Sequence, residues 1–507
     1  MIKSFFEQFD TRATDFNIKR IESINKGKNE QFFTPMIIAS YMSSMLKETK
    51  REVINFLDPG VGIGNLTIAF IANVCNWKNR PNKIHCTLFE IDSELISVLE
   101  NNLEICKALC KKYNIEVEFE IINSDFILEY VRGMKEDELK KKFDYISLNP
   151  PYKKLNTESY HKKILSEIGI DVPNYYAAFV LLSINLLKDK GQLVCITPRS
   201  FCNGQYFKSY RKFLSNNVKL EKIHNFNSRK DIFYDDILQE AIIMYVSKNK
   251  QKFNDRVEII ESIDNNLTCM ERIKKRYDNI VFPDDTDKII RIIKDDSIEV
   301  VEKMHQLPYT LEDLNINVST GPIVDFREKE GLLSFDRTPF SVPIIYPENF
   351  YKGLIRWPLK GKKPPFLIED KSNIKNLRSS GVYVLVKRFS SMEEKKRIVA
   401  AVYNSDLICN TRVGFDNKTN YYHITKNGIK NIEIAKGLSL YLNSSLVNFY
   451  FRTFSGNTQV NIADLKLLKY PSISNLLRLG RAYEGFLPSQ AEIDNIIDTI
   501  LFKKEKQ

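Results

Sequence analysis

Short apolar runs alternate with amphipathic segments between about residues 36 and 250. In segment 93–109, for example, apolar residues recur every three or four positions, which is the spacing of one helix face. The apolar runs that predict β-strands are 53–57, 84–90, 117–122, 143–148, 192–196, 223–226 and 241–246. Strands that alternate with helices favour a mostly parallel sheet with helices on both faces. We therefore expect an α/β fold with a Rossmann-like sheet in this part of the chain.

The pattern changes after residue 250. Segment 251–305 is strongly charged, with both signs, as is common in a segment that bridges two domains. After it come irregular apolar runs, prolines and aromatics, and helices are predicted only near 435–452 and 489–502. A chain of 507 residues exceeds what one hydrophobic core usually spans. The sequence therefore predicts an α/β domain at 1–250, a charged bridging segment at 251–305 and an α+β domain at 306–507.

The composition is that of a globular protein, with 43% hydrophobic and 27% charged residues. No basic stretch followed by an apolar run opens the chain, and the longest apolar run, 175–187, is too short to cross a bilayer. The eight cysteines lack the spacing of a zinc ribbon and mostly lie in apolar runs. We therefore expect a cytoplasmic protein with reduced thiols, no membrane segment and no bound metal.

Three glycines follow the first predicted strand. Asp58 ends this strand, and Gly60, Gly62 and Gly64 lie between it and an apolar helix. Glycine lets the backbone turn tightly and approach a ligand that a side chain would displace. The G-x-G-x-G spacing differs from the G-x-G-x-x-G of dinucleotide-binding folds. Taken alone, the motif is equally compatible with a ligand site and with a plain strand-to-helix connection.

Acidic residues at the ends of three successive strands favour the ligand site. Asp58, Glu90 and Asp125 each follow a predicted strand, and open α/β sheets bind ligands at that edge. Asp58 suits a cationic group such as an ammonium, Glu90 a ribose diol, and Asp125 the amino group of an adenine. Upstream, Thr34 and Pro35 precede a predicted helix, either as a plain helix start or as a segment that closes over the ligand.

The motif Asn149-Pro150-Pro151-Tyr152 directly follows the predicted strand 143–148. A rigid turn is the simplest interpretation, because proline fixes φ. The same residues also suit chemistry on an aromatic amine. The Asn149 side-chain oxygen and the Pro150 carbonyl can accept its two N–H bonds, and the ring of Tyr152 can stack on a planar base.

In their order along the chain, FFTP, DPGVGIG, FEID, NSDF and NPPY resemble the motifs of the gamma-class N6-adenine DNA methyltransferases. Longer stretches, including NPPYKKL, NYYAAFVLLSINLL, PRSFCNGQYF and STGPIVDFR, are similar to the PstI/BsuBI-type modification methyltransferases of type II restriction–modification systems. The resemblance extends, motif by motif, over about residues 28–475. It implies an S-adenosylmethionine-dependent methyltransferase sheet followed by a target-recognition domain.

The resemblance also implies roles for individual residues. The implied cofactor is S-adenosylmethionine, and the residues implied to bind it are Thr34, Pro35, Asp58, Gly60, Gly62, Gly64, Glu90 and Asp125. The implied catalytic residues are Asn149, Pro150, Pro151 and Tyr152. Phe207 matches a phenylalanine that stacks on the flipped target base opposite the motif tyrosine; the alternative for this residue is helix packing.

Basic residues are concentrated in one part of the C-terminal half. The net charge is +11, and residues 351–400 hold thirteen Lys and Arg against four acids. A solvated surface would explain such a run, but attachment to a base-flipping domain favours contact with DNA phosphates. The residues expected to make these contacts are Arg356, Lys360, Lys362, Lys363, Lys387 and Arg388.

The implied partners are double-stranded DNA and a cognate restriction endonuclease. The likeness to the PstI/BsuBI enzymes implies methylation of the adenine in CTGCAG, and a monomer would suffice because such an enzyme acts on one strand at a time. Other users of NPPY methylate RNA adenines or protein glutamines; the large basic C-terminal half argues against the glutamine enzymes. A fused nuclease is a weaker alternative, since Glu369-Asp370-Lys371 has the E-x-K form without a convincing preceding Pro-Asp.

Overall fold

The computed structural model describes residues 33–136, 141–226, 241–262, 267, 270–283, 285–292, 298–329, 331–361, 363–390, 394–407, 411–425, 427–455 and 458–503. The chain divides into two compact units, Met1–Ile292 and Ile293–Gln507.

The first unit contains one large sheet with helices packed on it. Its strands are β1 (Val53–Asp58), β2 (Lys83–Phe89), β3 (Glu116–Ile122), β4 (Phe143–Leu148), β5 (Leu187–Pro198), β6 (Lys219–Phe226), β7 (Ala241–Ser247), β8 (Arg256–Ser262) and β9 (Met270–Arg276). Its helices are α1 (Met36–Ser44), α2 (Asn65–Cys75), α3 (Ile96–Lys112), α4 (Phe126–Lys135), α5 (Tyr160–Glu167), α6 (Tyr175–Leu186), α7 (Lys208–Asn217) and the short α8 (Tyr277–Ile280). The strand order is β3-β2-β1-β4-β5-β7-β6-β8-β9.

The first five strands are parallel, and β7 runs antiparallel to both β5 and β6. Each of the seven strands predicted from the apolar runs forms, and the predicted Rossmann-like α/β fold is confirmed. The helices α2 and α6 are buried almost all round, as expected for helices without a polar face. Strand order reverses between β1 and β4, and a crevice is therefore expected at the carboxyl ends of these two strands.

Two strands lie within the segment that was expected to bridge two domains. Strand β8 pairs with β6 in parallel, and β9 pairs with β8 antiparallel. Only β8 carries a buried apolar run, whereas β9 has the sequence MERIKKR and is mostly exposed. Part of the charge of this segment therefore lies on the edge of the sheet.

Both edges of the sheet carry charged side chains. At the other edge, β3 alternates acidic and apolar residues. Glu116 pairs with Lys83 at 2.8 Å, and Glu118 pairs with His85 at 2.7 Å. Glu116 and Glu118 are thus matched by the neighbouring strand β2, whereas Glu120 pairs with Lys141, and the edge is a polar rim.

The second unit contains two smaller sheets and a group of helices. One sheet has the order β10-β20-β17-β18-β14-β13 and the other β11-β15-β12-β19-β16. The strands are β10 (Asn317–Thr320), β11 (Leu333–Ser334), β12 (Ser341–Ile345), β13 (Phe350–Tyr351), β14 (Leu354–Ile355), β15 (Phe366–Ile368), β16 (Arg378–Ser379), β17 (Val382–Lys387), β18 (Ala400–Asn404), β19 (Arg412–Phe415) and β20 (Thr419–His423). The helices are α9 (Ile298–Gln306), α10 (Ile432–Leu442), α11 (Ser445–Phe454), α12 (Ile462–Lys466), α13 (Ile473–Arg481) and α14 (Gln490–Leu501). The α+β composition is as predicted, but α9, α12 and α13 lie outside the two segments in which helices were expected.

Two glycines allow α10 and α13 to pack at close range. A Cβ atom on Gly437 would lie 1.9 Å from the Leu476 carbonyl oxygen, and one on Gly480 would lie 1.8 Å from that of Glu433. Since real Cβ atoms do not approach so closely, any side chain at either position would push the helices apart.

Candidate active site

A cavity of about 270 Å³ opens at the carboxyl ends of β1 to β4. It is the crevice expected from the strand order, and several predicted residues meet there. Those that line it are Thr34, Gly60, Gly62, Glu90, Asp125, Asn149, Pro150 and Pro151. We refer to this cavity as the cleft.

The glycine turn forms the floor of the cleft. Gly62 and Gly64 adopt positive φ angles of 56° and 96°, which L side chains rarely tolerate. A Cβ atom on Gly62 would also come within 3.1 Å of the Phe33 ring, which lines the cleft. Gly64 does not line the cleft; it is the N-cap residue of α2.

Asp58 stabilises the glycine turn through hydrogen bonds. Its side chain is fully buried and does not line the cleft. Its carboxylate accepts hydrogen bonds from the Thr67 hydroxyl at 3.1 Å and from the Gly60 amide at 3.4 Å. Burial raises the pKa of Asp58 to about 7. The structure therefore gives Asp58 a bracing position, and not the direct ligand contact expected from the sequence.

Glu90 lies at the end of β2 and lines the cleft. Its two carboxylate oxygens accept the amides of Gly62 and Asp92, each at 2.8 Å. These bonds hold the carboxylate against the glycine turn, while burial raises its pKa. The acidic group is therefore fixed in place before any ligand binds.

Asp125 begins α4, and its carboxylate accepts the Leu128 amide at 3.0 Å as an N-cap. Its other oxygen is 2.9 Å from Nε2 of His161, and Nδ1 of that ring is 3.0 Å from the hydroxyl of Tyr175. Burial acts to raise the pKa of Asp125, but the bonds from His161 and Leu128 outweigh it and lower the pKa overall. His161 and Tyr175 also line the cleft.

The sequence did not indicate a role for His161. It lies on α5, a helix of eight residues outside every recognised motif, and its contacts are made to residues far away in the chain. Its position soon after NPPY was the one feature of the sequence that could have suggested a role for this polar residue.

The NPPY motif contributes its first three residues to the cleft wall. The side-chain amide of Asn149 donates to the Thr34 hydroxyl at 3.1 Å. The Thr34 carbonyl in turn accepts the side-chain amide of Asn65 at 2.8 Å. Pro35 does not line the cleft and instead precedes α1 as its N-cap residue.

Tyr152 and Phe207 lie in one aromatic cluster but do not face each other across an open gap. Each is only 6% exposed. Tyr176 contacts both: its ring centroid is 6.4 Å from that of Tyr152, nearly perpendicular, and 5.5 Å from that of Phe207, nearly parallel. The predicted stacking pair is therefore bridged by a third ring that the sequence did not single out.

A buried arginine fixes the segment that carries Phe207. Arg211, on α7, is 1% exposed. Its guanidinium donates to the carbonyls of Phe201 at 2.9 Å, Gly204 at 2.7 Å and Asp287 at 2.8 Å. Residues 199–207 are thus anchored to α7 and to the segment after α8.

The basic residues expected to contact DNA differ in their surroundings. Arg356 and Lys360 are exposed. Lys387 is half-buried, and the half-buried Arg388 donates to the Asn417 carbonyl at 3.1 Å. Lys363 is half-buried over the ring of Tyr346, with its ammonium 3.4 Å from Glu348 and 3.7 Å from Asp325, so its charge is already engaged. Lys362 lies outside the described residues.

The cleft suits a nucleoside that carries positive charge. Two fixed carboxylates, Glu90 and Asp125, face it, and the rings of Phe33, Phe126 and Phe179 form apolar walls on which a base can pack. Within the described ranges, no group of three or more His, Cys, Asp or Glu side chains is arranged to hold a metal ion. No helix among the described residues is long and apolar enough to span a membrane.

Comparison with known proteins identifies the family to which the chain belongs. Residues 60–233 match the family described as Eco57I restriction-modification methylase. Over 485 residues the chain is 39% identical to the type II methyltransferase M.BsuBI of Bacillus subtilis, covering 94% of this chain and 95% of the relative. Over 479 residues it is 37% identical to the type II methyltransferase M.PstI of Providencia stuartii, covering 94% and 93%.

Among solved structures, the type IIL restriction-modification enzyme MmeI in complex with DNA superposes with a TM-score of 0.56 at 12% identity, covering 90% of this chain and 71% of that one. At this identity the similarity shows the fold. The predicted resemblance to the PstI/BsuBI-type enzymes is confirmed by the two full-length relatives. The chain belongs to the type II methyltransferases of restriction–modification systems, and its methyl donor is S-adenosylmethionine.

Proposed function

We propose that this enzyme methylates the exocyclic N6 of adenine in double-stranded DNA, at CTGCAG, after flipping the adenine out of the duplex. The observation that carries the proposal is that Asn149, Pro150 and Pro151 border the same cleft as Glu90 and Asp125. An amine held by the first group is then adjacent to a methyl donor held by the second. The sequence CTGCAG is the target implied by the likeness to the PstI/BsuBI enzymes.

The residues of the motif would activate a poor nucleophile. The lone pair of an adenine amino group is delocalised into the ring, so the nitrogen must become more tetrahedral to react. The Asn149 side-chain oxygen and the Pro150 carbonyl would accept its two N–H bonds, and proline holds that carbonyl in place beforehand. S-adenosylmethionine supplies a methyl group made electrophilic by the sulfonium. The amino nitrogen would form the new bond to the methyl carbon as the carbon–sulfur bond breaks, S-adenosylhomocysteine would be the leaving group, and the surplus proton of the amine would pass to water.

Donor binding would be shared among several residues. The backbone of Gly60 and Gly62 approaches the methionine end, and Asp58 contributes from below by bracing this turn. Glu90 would accept hydrogen bonds from the ribose hydroxyls, and Asp125 would accept one from the adenine amino group. Thr34 acts through Asn149, and Pro35 sets the start of α1. Gly64 allows the helix after the turn to begin.

Stacking of the target base would require a local rearrangement. Phe207 packs on Tyr176, and the Tyr152 ring is buried. For Tyr152 and Phe207 to hold the base between them, the Phe207 ring must leave Tyr176. Binding of the flipped adenine would therefore cost the free energy of the Phe207–Tyr176 contact, in addition to the cost of unstacking the base from the duplex.

The C-terminal unit would bind the duplex. Arg356, Lys360 and Lys387 are the basic residues best placed for phosphate contacts, and Lys362 and Arg388 are further candidates. We also propose that a restriction endonuclease with the same target accompanies this enzyme in the cytoplasm, and that the enzyme acts as a monomer on one strand at a time.

The test uses the purified enzyme and two 24-base-pair duplexes that differ only in whether they contain CTGCAG. After incubation with S-adenosylmethionine, the DNA is digested to nucleosides and analysed by mass spectrometry. We expect N6-methyldeoxyadenosine only from the duplex with the site. Methylcytosine, or methylation of RNA or of a glutamine-containing peptide in preference to DNA, would refute the proposal.

A catalytic variant links the activity to the motif. Asn149→Ala should lower kcat about 10²- to 10³-fold, the usual cost of removing one preorganised polar group, while donor binding is retained. Asn101→Ala is the matched control, because Asn101 is exposed on α3. An Asn149→Ala enzyme with full activity would exclude the proposed mechanism.

A further inference from the structure

His161 and Tyr175 form a chain of hydrogen bonds that ends on Asp125. His161 belongs to α5 and Tyr175 to the first turn of α6, so two separate helices converge on the carboxylate at the start of α4. The two rings also pack edge to face, with centroids 5.3 Å apart. All three side chains line the cleft.

The chemistry of the three groups determines the direction of these bonds. An ionised carboxylate can only accept, so Nε2 of His161 donates to Asp125. In the neutral ring Nδ1 is then an acceptor, and the Tyr175 hydroxyl donates to it. Asp125 therefore sets the tautomer of His161, and the Tyr175 hydroxyl, which can donate or accept, holds the ring in the orientation that supports the carboxylate.

The Asp125 carboxylate is consequently held at both oxygens. One oxygen accepts the Leu128 amide at 3.0 Å and the other accepts His161 at 2.9 Å. Each carboxylate oxygen can accept more than one hydrogen bond, so this arrangement fixes the orientation and still permits a further donor.

We propose that His161 and Tyr175 are positioning residues that orient Asp125 to accept the adenine amino group of S-adenosylmethionine. This inference rests on the proposed function, which assigns the adenine to Asp125, and adds that without His161 only backbone amides at the start of α4 would hold the carboxylate, which could then rotate away. The His161–Tyr175 pair thereby sets the preference of the cleft for adenine over other bases.

The experiment compares two ligands that differ in a single group. One is S-adenosylhomocysteine, and the other is its analogue with hydrogen in place of the adenine amino group. Binding of each to the full-length chain is measured by isothermal titration calorimetry for the wild type, His161→Ala, His161→Gln and Tyr175→Phe. The control is His85→Ala, whose ring pairs with Glu118 on the edge of the sheet.

We expect His161→Ala to weaken binding of S-adenosylhomocysteine about tenfold, as for the loss of one well-aligned hydrogen bond, with no change for the analogue. Tyr175→Phe should have a smaller effect of the same kind. His161→Gln should restore part of the affinity, because an amide can also donate to Asp125.

Equal weakening of both ligands by His161→Ala, or no weakening of either, would overturn the inference. The Tyr175→Phe variant removes one oxygen atom and keeps the test decisive if His161→Ala does not fold. A wild-type enzyme that binds both ligands equally would instead refute the assignment of adenine to Asp125. That outcome is distinguishable from a failure of His161 alone.

Discussion

The side-chain amide of Asn149 donates a hydrogen bond of 3.1 Å to the hydroxyl of Thr34. Thr34 is itself buried, and its carbonyl is bound by Asn65 on α2. The side-chain nitrogen of Asn149 is thus hydrogen-bonded to the segment before α1. In the proposed mechanism its side-chain oxygen accepts a hydrogen bond from the target amine. A threonine more than a hundred residues upstream thus controls the orientation of the proposed catalytic group.

Removing this hydroxyl should slow catalysis. Thr34→Val preserves the shape of the side chain and removes one hydrogen bond, with a typical net value of about 1 kcal/mol. We therefore expect kcat to fall about fivefold, while DNA affinity is unchanged. Thr34→Ser retains the hydroxyl and should keep most of the activity. Equal rates for the valine and wild-type enzymes in single-turnover methylation would contradict this role.

Asp58 should make stability depend on pH. Its pKa is about 7 in the folded protein because of burial, against 3.8 for the unperturbed group. Between these two pH values Asp58 is protonated in the folded state and ionised in the unfolded state. The free energy of unfolding is therefore highest below about pH 4 and decreases as the pH rises to 7. Asp58→Asn should remove this dependence.

The measurement for Asp58 is urea unfolding of the full-length wild type and variant at several pH values between 4.5 and 8. The stability of the wild type relative to Asp58→Asn should decrease with rising pH, by at most on the order of 4 kcal/mol. Asp189→Asn, at an exposed position, is the control. A difference that does not vary with pH would show that Asp58 ionises normally.

Arg211 should be important for both stability and activity. Arg211→Met would remove the guanidinium donor from three carbonyls, of which Gly204 keeps the Phe207 amide, and a buried unsatisfied group costs about 1–3 kcal/mol. We expect a marked decrease in Tm and, because residues 199–207 carry Phe207, a lower kcat/KM for DNA. Lys212→Met, at the exposed adjacent position of α7, should change neither. Identical melting curves for Arg211→Met and the wild type would count against this anchoring.

The exposed and engaged lysines should differ in their effect on DNA binding. Lys360→Gln removes an exposed charge and should lower the slope of log K against log salt by about 0.9 for one lost phosphate contact. Lys363→Gln should leave the slope unchanged, because this ammonium is engaged by Glu348 and Asp325. Fluorescence anisotropy of a labelled duplex between 50 and 200 mM salt measures both. If Lys363→Gln lowered the slope as much as Lys360→Gln, the distinction between them would be wrong.

The sequence predicted the first unit well because its signals are local. An apolar run followed by a glycine turn specifies a buried strand and the start of a helix, as at β1 and α2. Parallel strands bring their carboxyl ends to one edge, so residues as distant as Glu90 and Asn149 could be expected in one cleft.

Features that depend on long-range contacts escaped prediction. No local pattern indicates that His161 meets Asp125, or that Tyr176 lies between Tyr152 and Phe207. The carboxylates that pair with Lys363 come from other segments of the second unit. The local concentration of basic residues therefore predicted a DNA contact for Lys363 and gave no sign of this pairing. Strands β8 and β9 were both missed, because their segment was judged by its charge, and β9 as an exposed edge strand also lacks the apolar run by which buried strands are recognised.

The charged outer strands of the large sheet have a consequence for the behaviour of the protein in concentrated solution. A strand from another molecule that added to β3 or β9 would have to desolvate a row of glutamates, lysines or arginines. Growth of the sheet into fibres is therefore disfavoured at both ends, although nine strands already lie side by side.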